Sequence, residues 1–267
     1  MLDDLSTDDS ARLAAEAGAR TLTALHPGRF VLGLGVSHAP LVERGMGGTY
    51  EKPLATMRGY LERMAAVPEI IEPGVGRPPR LLAALGPKMI ELSGSLADGA
   101  HPYLVLPSAS ASTRDILGPD KWIVSEQAVA IGGDDADQLR RAHDHLNVYS
   151  GLPNYRNSWL RQGFDETDLV RGGSERLARA LVGLGSVDDA AAKVQAHLDA
   201  LRMEMDRIAT SAEEEAEGPD LSAEDLEEGF CKDDIYGTYL RQQFFKQGKP
   251  LPKPKTYVER TKKGKKI

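Results

Sequence analysis

Four short apolar runs, and the stretches that separate them, constrain this chain more than anything else in its sequence. The runs are RFVLGL (29–34), RLLAAL (80–85), PYLVL (102–106) and WIVSEQAVAI (122–131). Each is short, rich in Val, Ile and Leu, and bounded by Gly or Pro, which marks a buried strand rather than a helix. Between them lie amphipathic segments such as YEKPLATMRGYLERMAAV and KMIELSGSLADGA, the second closed by glycine. Strands that are apolar on both faces and alternate with helices imply a parallel sheet with helical crossovers. A helix over 9–26 precedes the first run. Beyond the last, the spacing predicts a long helical stretch from 135 that kinks at Gly151–Pro153, then helices near 174–184 and 187–201. Residues 28–200 are thus expected to form consecutive βα units of a barrel-type sheet.

Composition narrows the setting. A net charge of −7 argues against a nucleic-acid role for the whole chain. The single cysteine, Cys231, excludes a disulfide framework and suits a reducing compartment. No apolar run reaches the roughly 18 residues of a membrane span. The acidic start, MLDDLSTDD, lacks the basic character of a signal peptide, so a cytoplasmic location is expected. Near residue 203 the pattern changes: residues 204–228 carry 11 acidic residues against one basic, and 229–267 carry 11 basic against three acidic. The expected organisation is a barrel-type domain over 1–202, an acidic helical appendage over 203–247 and a basic, disordered tail over 248–267.

Two strand ends offer chemistry. The first, LGLGVSHAP, places Gly33 and Gly35 in a strand that has no structural need of them, then Ser37 and His38. Glycine weakens a strand unless a backbone or ligand must come close, and a histidine beyond a strand C-terminus stands where α/β folds keep their chemistry. A neutral imidazole there can take or give a proton near pH 7. The second end, LGPKM, runs Gly86 and Pro87 into a helix opened by Lys88. Free N–H groups, the helix dipole and the lysine favour an anion, although an ordinary βα turn with Pro at the first helical position reads the same way. Both ends succeed parallel strands, so they are expected on one rim. In GLPNYRNSWLRQGF, Asn154 and Asn157 share a helix face, and Arg156 can fork onto a carboxylate or phosphate, or simply face solvent. Glu126 and Gln127 are polar residues inside an apolar run. His143 and His145 fall on different helix faces, so no metal site is expected.

The segments LHPGRFVLGLGVSHAPLVE, YEKPLATMRGYLERM, PRLLAALGPKMIELSGSLADGAHPYLV, SEQAVAI and GLPNYRNSWLRQGF together resemble the luciferase-like monooxygenase superfamily. Within it they resemble the actinobacterial oxidoreductases that depend on deazaflavin coenzyme F-420. The likeness covers roughly residues 9–200. It implies an eight-stranded TIM barrel, a homodimer, and a cofactor lying across the C-terminal rim. It also implies hydride transfer between F-420 and a small-molecule substrate, with FMN and oxygen as the alternative within the same fold. By the same resemblance His38 is the catalytic acid or base. Gly35, Val36 and Ser37 line the ring site, Leu85, Gly86, Pro87 and Lys88 lie at the phosphate-bearing tail, and Arg156 is a further anion contact. The family has three strands before RFVLGL and an eighth after AAAKVQAHLDA, so four strands of eight are expected here. A non-catalytic chain acting through its basic tail is the reading from another class.

Overall fold

The computed structural model describes residues 10–66 and 76–216. Helix α1 (Ser10–Leu25) leads into β1 (Leu32–Leu34), a single π-type turn at Leu41–Gly45, and α2 (Pro53–Ala65). Next come two tight βα units, β2 (Arg80–Ala83) with α3 (Pro87–Leu96) and β3 (Gly99–His101) with α4 (Pro107–Leu117), and then β4 (Trp122–Ile123). The remainder is β5 (Val129–Ile131), α5 (Asp135–Tyr149), α6 (Pro153–Arg161), α7 (Glu175–Leu181), β6 (Gly183–Gly185) and α8 (Val187–Ala216).

All pairings are parallel. Strands β1-β2-β3-β4 form one sheet, with Leu32 opposite Arg80, Leu81 opposite Gly99 and Gly99 opposite Trp122. Strands β5 and β6 form a second, two-stranded sheet, joined at Val129 and Gly183. A parallel bridge between Tyr103 and Glu126 continues the β3–β4 direction. The expected α/β architecture of parallel βα units is therefore present, and among the described residues the strands do not close a barrel.

Four expectations need correcting. The third strand lies at 99–101, not 102–106, and Gly99 opens it rather than closing the preceding helix. A Cβ on Gly99 would stand 2.0 Å from the Trp122 carbonyl oxygen, so only glycine lets β4 come that close. The run at 122–131 is two strands, broken by Ser125–Glu126–Gln127. Among the described residues the strands number six rather than four, because that run counts as two and residues 183–185, expected at a helix end, form β6. The long helix from 135 is two helices, α5 and α6, separated where Leu152 precedes Pro153 and is held extended.

Two apolar clusters fix the helices to the sheets. One packs Trp159, Leu146, Leu177 and Leu181 with Leu104, joining α5, α6 and α7. The other packs Met57, Leu61, Leu82 and Leu92 between α2, α3 and β2. Each such side chain contributes roughly 1.5–3 kcal/mol on burial. At the N-terminal end of the main sheet the cement is ionic. Buried Glu16 of α1 accepts from Arg80 (2.6 Å) and Arg20 (3.0 Å), and Asp98 accepts from both Arg77 nitrogens (2.5 and 2.9 Å) and the Arg80 N–H (2.7 Å).

The chain divides into two compact units, Met1–Ala209 and Thr210–Ile267, and all six strands belong to the first. Helix α8 runs unbroken through the expected boundary at residue 203. The appendage beyond residue 216 and the basic tail at 248–267 lie outside the described residues. No helix among the described residues is long and apolar enough to cross a membrane.

Candidate active site

Because β1 and β2 are parallel neighbours in register, with Leu34 opposite Leu82, the segments leaving their C-terminal ends emerge on one rim. After β1 the chain turns sharply at Ser37, which holds a left-handed φ of 61°. A non-glycine residue there stores about 1–3 kcal/mol of strain, a cost found at functional sites and sustained by the surroundings. Here the Tyr50 hydroxyl donates to the Ser37 carbonyl (3.3 Å), and the His38 carbonyl accepts from the N–H groups of Leu41 and Val42 (both 3.0 Å). Two side-chain atoms of this turn, Ser37 Oγ and His38 Nδ1, are buried without a hydrogen-bond partner. A buried polar atom left unpaired costs about 1–3 kcal/mol. Burial holds the His38 imidazole below the ordinary histidine value, against a hydrogen bond with Asn154 that favours its protonated form. His38 is thus neutral near pH 7 and able to accept a proton.

The glycines before this turn have separate reasons. Nothing lies within 4 Å of where a Cβ on Gly33 would stand, so the sheet is bare there. At Gly35 a Cβ would come 3.2 Å from that of Ala83, so the β1 end lies tight against β2. Val36 packs onto the α2–α3 cluster and anchors the turn from below.

Helix α6 ties the rim together. Leu152 and Pro153 begin it, and its i, i+4 and i+7 positions fall on one face. Asn154 reaches His38, and the Tyr155 ring lies 5.8 Å from the His38 ring. Trp159 Nε1 donates to the Leu104 carbonyl (3.0 Å), the Gln162 side chain just beyond accepts from the Leu106 N–H (2.6 Å), and Arg161 donates to the Leu85 carbonyl (3.0 Å). The ends of β1, β2 and β3 are therefore held by one element. Gly86 caps α3 with no side-chain partner, Pro87 opens that helix, and Lys88 stands exposed in its first turn. A Cβ on Gly86 would approach the Arg161 guanidinium at 3.9 Å. Arg161, rather than Arg156, is the arginine at this turn. Arg156 sits one residue past Tyr155 and donates to the Leu169 carbonyl (2.6 Å) and the Glu166 carboxylate (2.5 Å).

A row of rings continues from Tyr155. Its centroid is 4.8 Å from that of Tyr149, which is 5.5 Å from Tyr103, and the Tyr103 hydroxyl bonds His145 Nε2. Burial first, then Tyr149 and the Glu126 carboxylate, push the Tyr103 and Tyr155 phenols upward, so both remain hydrogen-bond donors across the neutral range. Glu126 also lies 3.5 Å from His101 Nε2. Gln127 points elsewhere, pairing with buried His197 of α8 (3.1 Å) and the Leu181 carbonyl (2.9 Å). Sequence reasoning misses Tyr103, His145 and Tyr149. His145 and Tyr149 are i and i+4 on α5, a spacing that places them together, whereas a search for metal ligands pairs His145 only with His143. Among the described residues no three metal-ligating side chains cluster.

The arrangement offers a neutral imidazole past the end of β1, a neighbouring row of aromatic rings, and a cationic turn at the end of the neighbouring strand. Comparison with known proteins relates the chain as a whole to others. A protein of Mycobacterium tuberculosis named as a coenzyme F-420-dependent oxidoreductase is 26% identical over 245 residues, covering 72% of this chain and 70% of its own. An F-420-dependent secondary alcohol dehydrogenase, solved with an F-420–acetone adduct, matches with a TM-score of 0.50 at 13% identity, over 71% of this chain and 66% of that one. The F-420-dependent tetrahydromethanopterin reductase of Methanopyrus kandleri gives 0.47 at 14% identity, over 71% of each chain. The likeness to the dehydrogenase concerns the fold alone, and this chain spans just under two thirds of that enzyme. The sequence pattern of luciferase-like monooxygenases matches residues 5–196, from α1 into α8. The chain belongs to the luciferase-like monooxygenase family.

Proposed function

We propose that this protein is an F-420-dependent oxidoreductase that moves a hydride between the deazaflavin and a small organic substrate. The observation that carries the reading is the pair of unsatisfied buried atoms, Ser37 Oγ and His38 Nδ1, just past the end of the strand that holds the bare position at Gly33. A planar ring with polar edges fits a surface without side chains, flanked by unused hydrogen-bonding groups. The name of the Mycobacterium tuberculosis relative supports F-420 as that ring. The deazaflavin, when bound, supplies the redox chemistry. The protein supplies the rest. His38, neutral and steered by Asn154, takes the proton from a substrate hydroxyl or returns it to a carbonyl. Tyr155 and Tyr149 wall the site against water. Gly35, Val36 and Ser37 shape the ring contact, while Leu85, Gly86, Pro87 and Lys88, joined by Arg161, receive the anionic tail. Arg156 contributes by holding the loop after α6. With Cys231 as sole cysteine, a homodimer in the reducing cytoplasm suits this role.

Titration of the purified chain with F-420, monitored by the cofactor's fluorescence, tests the proposal. Saturable binding that His38→Ala leaves intact while abolishing turnover supports it. Preferential binding of FMN would move the chain to the oxygen-using branch of the family. Failure to bind either would show it to be a non-catalytic member.

A further inference from the structure

The break between β4 and β5 does more than separate two strands. Its residues Ser125, Glu126 and Gln127 alternate in direction, as a bridged, extended segment does. The two outer ones are tied down on the helix side. Gln127 Nε2 donates to the Ala128 (2.7 Å) and Leu181 (2.9 Å) carbonyls, which leaves its Oε1 to accept from His197 Nε2 (3.1 Å). The other nitrogen of that ring, Nδ1, then accepts from the Ser110 hydroxyl (2.8 Å), whose oxygen accepts from Ser125 (2.9 Å). Burial, with the Lys193 charge behind it, lowers the His197 pKa, so the ring stays neutral near pH 7, as this pattern requires. Ser110 is fully buried and His197 is 5% exposed. Side chains from α4 and α8 thus clasp the residues on either side of Glu126. The Glu126 N–H is fixed as well, on the Pro102 carbonyl (3.0 Å).

Glu126 is left facing the opposite way, onto the rim. It stands level with Tyr103 across the parallel bridge, with its carboxylate 3.5 Å from His101 Nε2. Its charge adds to burial and Tyr149 in pushing the Tyr103 and Tyr155 phenols upward, and the Tyr155 ring lies 5.8 Å from that of His38. The side chain is 54% exposed, so its oxygens stay open to a ligand. The rim is therefore polarised, with the cations Lys88 and Arg161 past β2 and a carboxylate past β4. Those strands stand two spacings apart, about 10 Å.

We propose that, within the oxidoreductase reading above, Glu126 selects the substrate, favouring one with a cationic group or a hydrogen-bond donor and rejecting carboxylates and phosphates. The cofactor's anionic tail is drawn to Lys88 and Arg161 and repelled by Glu126, so the group that meets the carboxylate belongs to the substrate. An ammonium there gains a charge-assisted hydrogen bond. The row of rings formed by Tyr155, Tyr149 and Tyr103 receives the apolar part and itself attracts cations. An anion meets a like charge and loses affinity.

Calorimetric titration of the F-420-saturated full chain with benzylammonium, benzyl alcohol and benzoate, at pH 7 and low ionic strength, tests this without requiring turnover. Benzylammonium should bind about 10- to 30-fold tighter than benzoate, with benzyl alcohol between them. Glu126→Gln should bring the three together and leave the F-420 dissociation constant unchanged. Glu126→Lys should reverse their order, an outcome that damage to the fold does not produce. Glu62→Gln, at an exposed position on α2, removes the same unit of charge and should keep the wild-type order. If F-420 binds but the three do not differ, do not bind, or keep their order in Glu126→Gln, selection by Glu126 is overturned while the oxidoreductase reading stands. A chain that fails to bind F-420 loses that reading, and this proposal with it.

Discussion

The two ends of the main sheet are built on opposite principles. At the N-terminal end, charges are committed to one another: Glu16 is fully buried between Arg80 and Arg20, and Asp98 holds Arg77 and the Arg80 backbone. At the C-terminal end, the polar side chains of the β1 turn are neutral and two of their atoms, Ser37 Oγ and His38 Nδ1, are left open, with the cations Lys88 and Arg161 at the neighbouring turn. The division is not absolute, since Arg80 Nε also lacks an acceptor. The difference is one of purpose. Paired charges hold one arrangement and gain little from a ligand, whereas unpaired neutral groups cost stability until something binds. Parallel α/β barrels separate these duties in the same way, with chemistry at the strand C-termini and stability at the other face.

The contrast can be broken by mutation. If the C-terminal rim carries function, His38→Ala should lower kcat by roughly 10²- to 10⁴-fold, the usual contribution of a general acid or base. The same variant should leave the melting temperature nearly unchanged. A large fall in stability with activity retained would reverse the assignment of the two ends. Glu16→Gln tests the other half. Breaking a buried ion pair by removing one partner costs about 3–5 kcal/mol, so this variant should unfold much earlier in urea while its folded fraction still binds cofactor. A loss below about 1 kcal/mol, the level of an exposed pair, would show that the ionic end does not hold α1 to the sheet.

Smaller effects sharpen the picture. Arg161→Ala and Lys88→Ala should each weaken F-420 about 5- to 30-fold, as expected for one charge-assisted contact with a phosphate. Arg156→Ala should do so less. The smallest effect is on pH. Burial lowers the pKa of His38 and of His197. On acidification the unfolded chain therefore takes up protons first, starting at the ordinary histidine value near 6.5. Stability should decline from there and level off below the folded-state values. Asp98, held low chiefly by Arg77, contributes stability above the ordinary carboxylate range and loses it as pH falls through its own lower value. Acid unfolding should thus show two steps, and His38→Ala should remove part of the first only. The acid limb of kcat/KM should likewise lie below the ordinary histidine range.

Much of this was legible in the chain. The βα alternation and the shared rim come from continuous apolar runs that only a two-sided burial requires. Strand limits were not legible where glycine has two meanings. Gly99 reads as a helix stop, but the reason for it is the Trp122 carbonyl across the sheet, a contact invisible in one dimension. Strand β6 hides because three residues directly after α7 cannot display a period. Of the site residues, His38 and the Gly86 turn announce themselves by local chemistry. The choice between Arg156 and Arg161 does not, because it depends on which face of α6 meets β2.

Helix α6 also acts as a ruler. Asn154, which bonds His38, and Arg161, which bonds the Leu85 carbonyl, are separated by seven residues, or about 10 Å of rigid rise. That span is fixed by covalent geometry rather than by flexible loops. A ligand that satisfies both ends at once must carry its reactive ring and its negative charge at a matching separation, so shortened analogues of the cofactor should be rejected by length before any contact with the ring is judged.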